Sequence, residues 1–236
     1  MRKGQGLHVP PEASSAPDIR LPPEALPTPE APRDCSFCPR LAAYRQVNAT
    51  EQPDWFNGAV PSFGSDGAQL LIVGLAPGRN GANRTGRPFT GDYAGDLLYA
   101  TLLEHGFASG VYRAEVSDGL QLINAMITNA VRCAPPQNKP TPLEIATCRP
   151  FFKALMEALP KLKIILALGR IAHDQTLSAL QKRKVEFPFG HGRRHDLSEG
   201  LALYDSFHCS RYNTNTGLLT SEMFGAVFAA IRAELG

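Results

Sequence analysis

The chain has 236 residues, of which 43% are hydrophobic and 19% charged, so it can bury the core of one α/β domain or of two small ones. It contains no apolar run long enough to span a bilayer, and its beginning lacks the apolar stretch of a secretion signal. We therefore expect a cytoplasmic protein without a membrane partner. A net charge of +2 does not by itself indicate a nucleic-acid partner, although basic residues cluster in several loops.

Residues 1–34 form the first recognisable unit. They contain eight prolines between Pro10 and Pro32. Because proline lacks a backbone donor and interrupts helices, we predict an extended or disordered tail over 1–34. A single folded domain is expected over 35–236.

Apolar runs and helical patterns alternate after the tail. The apolar runs predict buried strands at residues 69–74, 125–133, 163–169 and 202–207. Helical spacing follows at 93–107, where Asp92 is a candidate cap, and again at 170–180 and 220–235. Thr141, Pro142 and Glu144 form a capping box that opens another helix, which Pro150 should kink or break.

This alternation predicts an α/β fold with three layers, in which helices cover both faces of a central, mostly parallel sheet of about four strands. Ligands of such sheets bind beyond the carboxyl ends of the strands. Gly74, Asn129 and His208 each stand at or just after the end of a predicted strand. One composite site is therefore expected at that edge.

Five cysteines are present, and "CSFC" places Cys35 and Cys38 at a spacing that is common for two ligands of one metal site. Cys133 and Cys148 could complete a set of four thiolates, which suits either zinc or a [4Fe–4S] cluster. The alternatives are a redox dithiol or buried, unreactive cysteines. Cys209 adjoins His208, but sequence neighbours seldom orient as a nucleophile and its base.

The stretch "GLAPGRNGANRTGRPFTGDYAG" begins at Gly74, directly after an apolar run. Glycine-rich turns in this position often hold a phosphate. However, the stretch lacks the lysine of G-x-x-x-x-G-K-[ST], and it does not match G-x-G-x-x-G. A nucleotide-binding enzyme is therefore disfavoured.

Three segments, "GLAPGRNGANRTGRPFTGD", "VRCAPPQNKPTP" and "HCSRYNTNTGLLT", closely resemble the motif regions of the type-b, or family 5, uracil-DNA glycosylases. The resemblance extends from Cys35 to the C-terminus. It implies a uracil-DNA glycosylase-like fold and removal of uracil from DNA, with deaminated purines such as hypoxanthine as further candidate substrates. It also implies that the four cysteines hold a [4Fe–4S] cluster, with zinc as the less favoured alternative. The expected partner is DNA that contains such bases, bound by a monomer associated with the nucleoid.

The chemistry of base removal agrees with the residues in these motifs. The sugar develops oxocarbenium character while the base leaves as an anion, so a donor to the base and negative charge near the sugar both help. His208 is the candidate donor. By the resemblance, Asp92 stabilises the sugar cation or orients water, because Leu75 and Ala76 occupy the places where related glycosylases carry a polar residue.

The base itself must leave the duplex and enter a pocket. Phe89 is the candidate for stacking on it, and Gly74 and Ala76 would form the wall. Asn129 and Asn138 are both candidates to read the base edge or hold water, since an amide offers a donor beside an acceptor.

Contacts to the DNA backbone are expected from basic and loop residues. Arg79, Arg84 and Arg87 would hold phosphates. A loop carrying Arg211, Tyr212 and Asn213 would wedge into the space left by the base. No lysine stands where a Schiff base would form, so we expect an enzyme that leaves an abasic site without cutting the strand.

Each of these residues has an ordinary structural interpretation when taken alone. Asp92 could only cap a helix, His208 could be a core histidine, and Phe89 could be plain core. The competing functional hypotheses are a protein that binds DNA lesions without excising them and a zinc-stabilised nucleic-acid-binding protein. His173 and His191 receive no assignment.

Overall fold

Four buried parallel strands form the centre of the structure, a computed structural model that describes residues 29–198 and 200–236. The strands are β1 Phe63–Gly64, β2 Leu70–Gly74, β3 Ala108–Ser109, β4 Gln121–Leu122, β5 Ala125–Asn129, β6 Ile164–Leu168, β7 Arg194–Ser198 and β8 Leu201–Ser206. The helices are α1 Pro39–Glu51, α2 Ala82–Thr85, α3 Tyr93–Glu104, α4 Pro142–Glu157, α5 Arg170–Ala179, α6 Arg211–Asn215 and α7 Ser221–Leu235. Short 3₁₀ turns occupy Pro136–Asn138 and Lys184–Glu186.

The main sheet has the order β1-β5-β2-β6-β8-β7. Its inner four strands pair in parallel and correspond to the four predicted strands, so the predicted fold class is confirmed. The predicted number of strands was too low, because β1 and β7 add antiparallel edges. β1 has only two residues, and β7 alternates buried with exposed polar positions, as exposed edge strands commonly do. Neither has the continuous apolar run on which the strand prediction relied.

Helices cover both faces of the sheet because the residues of each inner strand point alternately to opposite sides. Leu70 and Ile72 of β2 face a core shared with α3 and α7, whereas Leu71 and Val73 face a second core shared with α4 and α5. This arrangement matches the predicted three layers. Within the described residues, no helix is long and apolar enough to cross a membrane.

Helix α4 begins as its sequence predicts and continues through the proline at which a kink or a break was expected. Thr141 and Glu144 form the capping box through both reciprocal hydrogen bonds. The helix nevertheless runs through Pro150 to Glu157, so Pro150 does not break it. Side chains buried on both sides of Pro150, among them Cys148 before it and Phe152 after it, hold the helix in place and can offset the cost of about 3 kcal/mol for an interior proline.

The end of the predicted tail is packed rather than separate from the domain. Arg132 is fully buried, and its guanidinium donates to the Pro29 carbonyl at 3.0 Å and lies 3.3 Å from the Glu30 carboxylate. Residues 29 and 30 of the predicted tail therefore pack against the domain that was expected to begin at Cys35. The rest of the predicted tail, residues 1–28, lies outside the described residues.

Candidate active site

A cavity of about 390 Å³ opens at the carboxyl edge of the sheet, where one composite site was predicted. The register pairs Gly74 at the end of β2 with Asn129 at the end of β5, and His208 follows the end of β8. The lining residues are Leu75, Ala76, Pro77, Gly78, Phe89, Asp92, Tyr93, Ala94, Asn129, Asn138, His208, Ser210 and Arg211. Residues that are far apart in the sequence are thus gathered around one space.

The glycines of the loop after β2 make room for side chains of this cavity. A Cβ atom on Gly74 would collide with Asn129 Oδ1 and come within 2.6 Å of the Phe89 ring. A Cβ atom on Gly81 would collide with the Asp92 carboxylate, and one on Gly78 would lie 3.2 Å from it. The glycine-rich stretch therefore serves the close packing of the pocket wall.

Phe89 and His208 both line the cavity, and their ring centroids lie 5.9 Å apart. Phe89 has φ of 52°, a left-handed conformation that is costly for a bulky residue and is often found at functional sites. Burial lowers the pKa of His208, so its imidazole is neutral at neutral pH. A neutral imidazole offers one donor and one acceptor to a ligand.

Asp92 caps helix α3 and also lines the cavity. Its Oδ1 accepts a hydrogen bond of 3.1 Å from the Gly95 backbone, so the structural interpretation as a helix cap is correct. Its other oxygen faces Gly78 and Gly81. Burial raises the pKa of Asp92 above the ordinary carboxyl range, against the opposing backbone hydrogen bonds. The same side chain can therefore cap the helix and present charge to a ligand.

The two candidate asparagines occupy different depths. Asn129 is 4% exposed and lies against Gly74 at the floor of the cavity. Asn138 is exposed at the end of a 3₁₀ turn, with φ of 57°. Both line the same space, so the structure brings them together without assigning either a role.

The three arginines predicted to hold phosphates are in different environments. Arg84 is exposed, whereas Arg79 pairs with the Glu51 carboxylate at 2.5 Å and lies over the Trp55 ring. Arg87 is buried with a side chain 3% exposed, and its guanidinium makes two hydrogen bonds to the Asp118 carboxylate, at 2.7 and 2.9 Å. The prediction for Arg87 is therefore wrong, because a guanidinium held inside the protein is not available to a phosphate at the surface.

The segment predicted as a wedging loop is helix α6, which Ser210 caps through the Asn213 backbone. Tyr212 is 74% exposed, and Arg211 lies over the Tyr93 ring at 5.2 Å, at the mouth of the cavity. The Asn213 amide instead donates to the His208 carbonyl at 2.8 Å. This hydrogen bond from Asn213 helps to hold the backbone of His208 in place.

A second enclosed space is lined by all four of the predicted metal ligands, Cys35, Cys38, Cys133 and Cys148. The Arg132 backbone N–H donates to the Cys148 sulfur at 3.3 Å. Arg45 of α1 reaches the Cys133 sulfur at 3.5 Å. We call this group of four cysteines the cysteine site.

Burial raises the pKa of Cys38 and Cys133 to about 12 and that of Cys148 to about 11. These thiols would stay protonated at neutral pH unless a cation took them as thiolates. The fifth cysteine, Cys209, is fully buried and donates to the Ala94 carbonyl. Burial also raises the pKa of Cys209, which argues against a nucleophilic role.

The profile of the uracil DNA glycosylase superfamily matches residues 61–232, which contain the whole cavity. The chain belongs to this superfamily. It is similar to a protein named type-5 uracil-DNA glycosylase from Thermus thermophilus, with 44% identity over 80% of this chain and 89% of that protein. A protein of the same name from Mycobacterium tuberculosis is 40% identical over 86% of this chain and 78% of its own length. A type-4 uracil-DNA glycosylase from Archaeoglobus fulgidus is 36% identical over 48% of this chain.

Membership of the superfamily confirms the resemblance that the three motifs indicated. The motifs did not identify Tyr93 and Ser210, which also line the cavity. The sequence offered one indication of their location, because Tyr93 follows Asp92 and Ser210 lies close to His208. Arg45 and Arg132 beside the cysteine site were missed as well, because only tertiary contacts bring them there.

Proposed function

We propose that this member of the uracil DNA glycosylase superfamily excises uracil from DNA by hydrolysing the N-glycosidic bond. The observation that carries the proposal is that Phe89, Asp92 and His208 face one cavity beyond the carboxyl ends of the strands. The type-5 relatives are named for this activity. Deaminated purines such as hypoxanthine are proposed as further substrates.

In this mechanism, the flipped base stacks on Phe89 inside the cavity. The neutral His208 imidazole donates to the base oxygen, on which negative charge develops as the bond breaks. The Asp92 carboxylate stabilises the sugar cation or orients the attacking water. Because Asp92 is largely removed from solvent, its charge acts on the sugar more strongly than it would in water.

Asn129 and Asn138 have different roles because they lie at different depths in the cavity. The buried Asn129 amide reads the edge of the base through its donor and acceptor, since it forms the floor of the cavity. Asn138 at the rim holds the water. None of the described residues that line the cavity is a lysine, and we propose that the reaction ends at an abasic site without a Schiff base.

DNA reaches the cavity across the surface formed by Arg84, Arg211 and Tyr212. Arg84 and Arg211 contact phosphates, and Tyr212 with its 74% exposed ring enters the gap left by the base. We propose that the protein acts as a monomer on nucleoid DNA in the cytoplasm.

We infer that the cysteine site holds a [4Fe–4S] cluster rather than zinc. Zn–S bonds of about 2.3 Å place the sulfurs of a tetrahedral zinc site about 3.8 Å apart. Among the described residues, no three cysteine sulfurs lie within 4.8 Å of one another, so their spacing suits a larger group. Such a cluster would tie Cys35 and Cys38, just before α1, to Cys133 and to Cys148 of α4.

The test is single-turnover cleavage of oligonucleotides that contain uracil or hypoxanthine, followed by alkali to reveal abasic sites. Wild type should release the base, and Asp92→Asn should do so slower by orders of magnitude. Asp96→Asn is the matched control, because Asp96 is an exposed acid on the same helix. A wild-type protein that binds lesion DNA but releases no base would support the alternative of a lesion-binding protein.

A further inference from the structure

We propose that His173, His195 and Asp205 form a binding site for one divalent transition-metal ion of the zinc type, separate from the cysteine site. The three side chains come from α5, β7 and β8. One ligand atom of each lies within 4.8 Å of the other two, and all three residues are buried. Neither the proposed excision of uracil nor the proposed cluster uses these residues.

The Asp205 carboxylate holds one histidine on each oxygen. Its Oδ1 lies 2.6 Å from His173 Nδ1, and its Oδ2 lies 3.1 Å from His195 Nε2. The Gly190 backbone N–H also donates to Oδ2, at 3.1 Å. Nitrogen and oxygen ligands of a tetrahedral zinc ion are about 3.3–3.4 Å apart, given bonds of about 2.0–2.1 Å. A shift of less than about 1 Å would thus admit the ion.

The contacts of His173 resemble those of a metal-bound histidine. Nε2 lies 2.8 Å from the Phe187 carbonyl, which can only accept, so Nε2 must carry a proton. A metal ion on Nδ1 leaves Nε2–H on a backbone carbonyl, the usual outer contact of a metal-bound histidine.

The ligand set favours a transition metal such as Zn²⁺ over calcium or magnesium, since two of its three ligands are imidazoles. Three protein ligands leave a fourth position for water. His195 is the most exposed of the three residues, at 8%, so an ion and its water would reach the site past the His195 ring. The site lacks thiolates, so it differs chemically from the cysteine site.

The site would hold the segment before β7 against the strand that leads to His208. Phe187 and Gly190 of this segment contact His173 and Asp205, as described above. His191 accepts from the Phe207 backbone N–H at 3.1 Å, next to His208. A bound ion would therefore stabilise the base of the loop that carries His208.

The first measurement is metal content of the iron-loaded full chain, treated with chelator, equilibrated with Zn²⁺ and freed of excess metal. We expect one zinc per chain in addition to unchanged iron. Asp205→Asn and His195→Gln should lose that zinc and keep their iron, whereas His105→Gln, a histidine at the end of α3, should keep both. The proposal would be overturned if the wild type retained no zinc after this treatment, or if Asp205→Asn retained as much zinc as the wild type.

Zinc-edge X-ray absorption of the wild type gives a second test that needs no variant, in case the variants do not fold. The expected spectrum contains only nitrogen and oxygen neighbours at about 2.0–2.1 Å. A sulfur shell at about 2.3 Å would place the zinc on cysteines and overturn the proposal. Absence of bound zinc would also overturn the proposal.

Discussion

The cavity and the cysteine site are neighbours that use buried polar groups in different ways. Ala76 lines the cavity and also packs against the hydrophobic cluster that contains Cys133 and Cys148. In the cavity, Asp92 and His208 are half-buried beside a space of about 390 Å³. In the cysteine site, the sulfurs face one another and neighbouring N–H groups.

This difference indicates which kind of ligand each region suits. A titratable group beside an open space is available to a ligand that enters and leaves, such as a flipped base. The enclosed thiols of the cysteine site would become thiolates only for a resident cation, because burial otherwise keeps them protonated. Burial alone therefore does not identify an active site, and the space next to the buried group must be considered.

Loss of a cysteine ligand should have the largest effect, and it should fall on stability. Cys148→Ser is expected to lose its iron and about 4 kcal/mol or more of stability, which corresponds to a fall in Tm of about 8–16 °C. Cys209→Ser, a buried cysteine outside the site, should keep its iron. Iron analysis and thermal unfolding measure both, and equal iron loss in the two variants would contradict the assignment of ligands.

Replacement of His208 should affect activity and leave the cysteine site intact. His208→Ala is expected to slow single-turnover excision about 100–1000-fold, because one donor to the developing anion is lost. The iron content and Tm should stay near those of wild type. If the iron content falls together with the excision rate, the cavity and the cysteine site are not independent.

A methyl group on the pocket wall should give a smaller loss of activity. Gly74→Ala pushes Asn129 and the Phe89 ring away from their positions, and shifts of about 1 Å can cost up to about 100-fold in rate. We expect kcat/KM to fall about 10–100-fold. Gly67→Ala is the control, since a Cβ atom on Gly67 would only contact Ser65 Oγ, at 3.6 Å. Similar kinetics for both variants would show that the wall does not shape the pocket.

Surface arginines should affect DNA affinity through its salt dependence. Arg84→Ala and Arg211→Ala are each expected to lower the slope of log K against log salt by about 1. Arg194→Ala should leave the slope unchanged, because Glu234 and Asp196 already hold that guanidinium. Fluorescence anisotropy with labelled DNA over a range of salt concentrations measures the slopes. An unchanged slope in Arg84→Ala would remove that residue from the DNA surface.

The smallest expected effect is a change in how stability depends on pH. Because the folded pKa of Asp92 is raised, its proton stabilises the fold below the ordinary carboxyl pKa, and this contribution is lost as pH rises through the raised value. Asp92→Asn keeps a good helix cap and removes the buried charge, so its Tm at neutral pH should equal or exceed that of wild type.

Asp96→Asn is the control for this prediction. It should lower Tm slightly at neutral pH, since Asp96 is an exposed acid in the first turn of α3, where negative charge stabilises the helix. Thermal unfolding from mildly acidic to neutral pH measures both variants. A lower neutral-pH Tm for Asp92→Asn than for Asp96→Asn would contradict a destabilising buried charge.

The amino-acid sequence by itself determined the inner sheet, the capped start of α4 and the family. The four inner strands are continuous apolar runs, and the cap at Thr141 depends on residues three positions apart. Signals of this kind are local, so they can be read without the fold. The motif residues around Gly74, Asn129 and His208 also follow strand ends, and parallel strands bring their ends to one edge.

The tertiary structure decided which charged side chains are free and which are buried. Arg84 and Arg87 are three positions apart and look alike in the sequence, but Asp118 holds Arg87 inside the protein. His173, His195 and Asp205 likewise meet only because α5, β7 and β8 pack together. The physical reason is that burial and pairing depend on residues distant in the chain, whereas strand and cap signals depend on near neighbours.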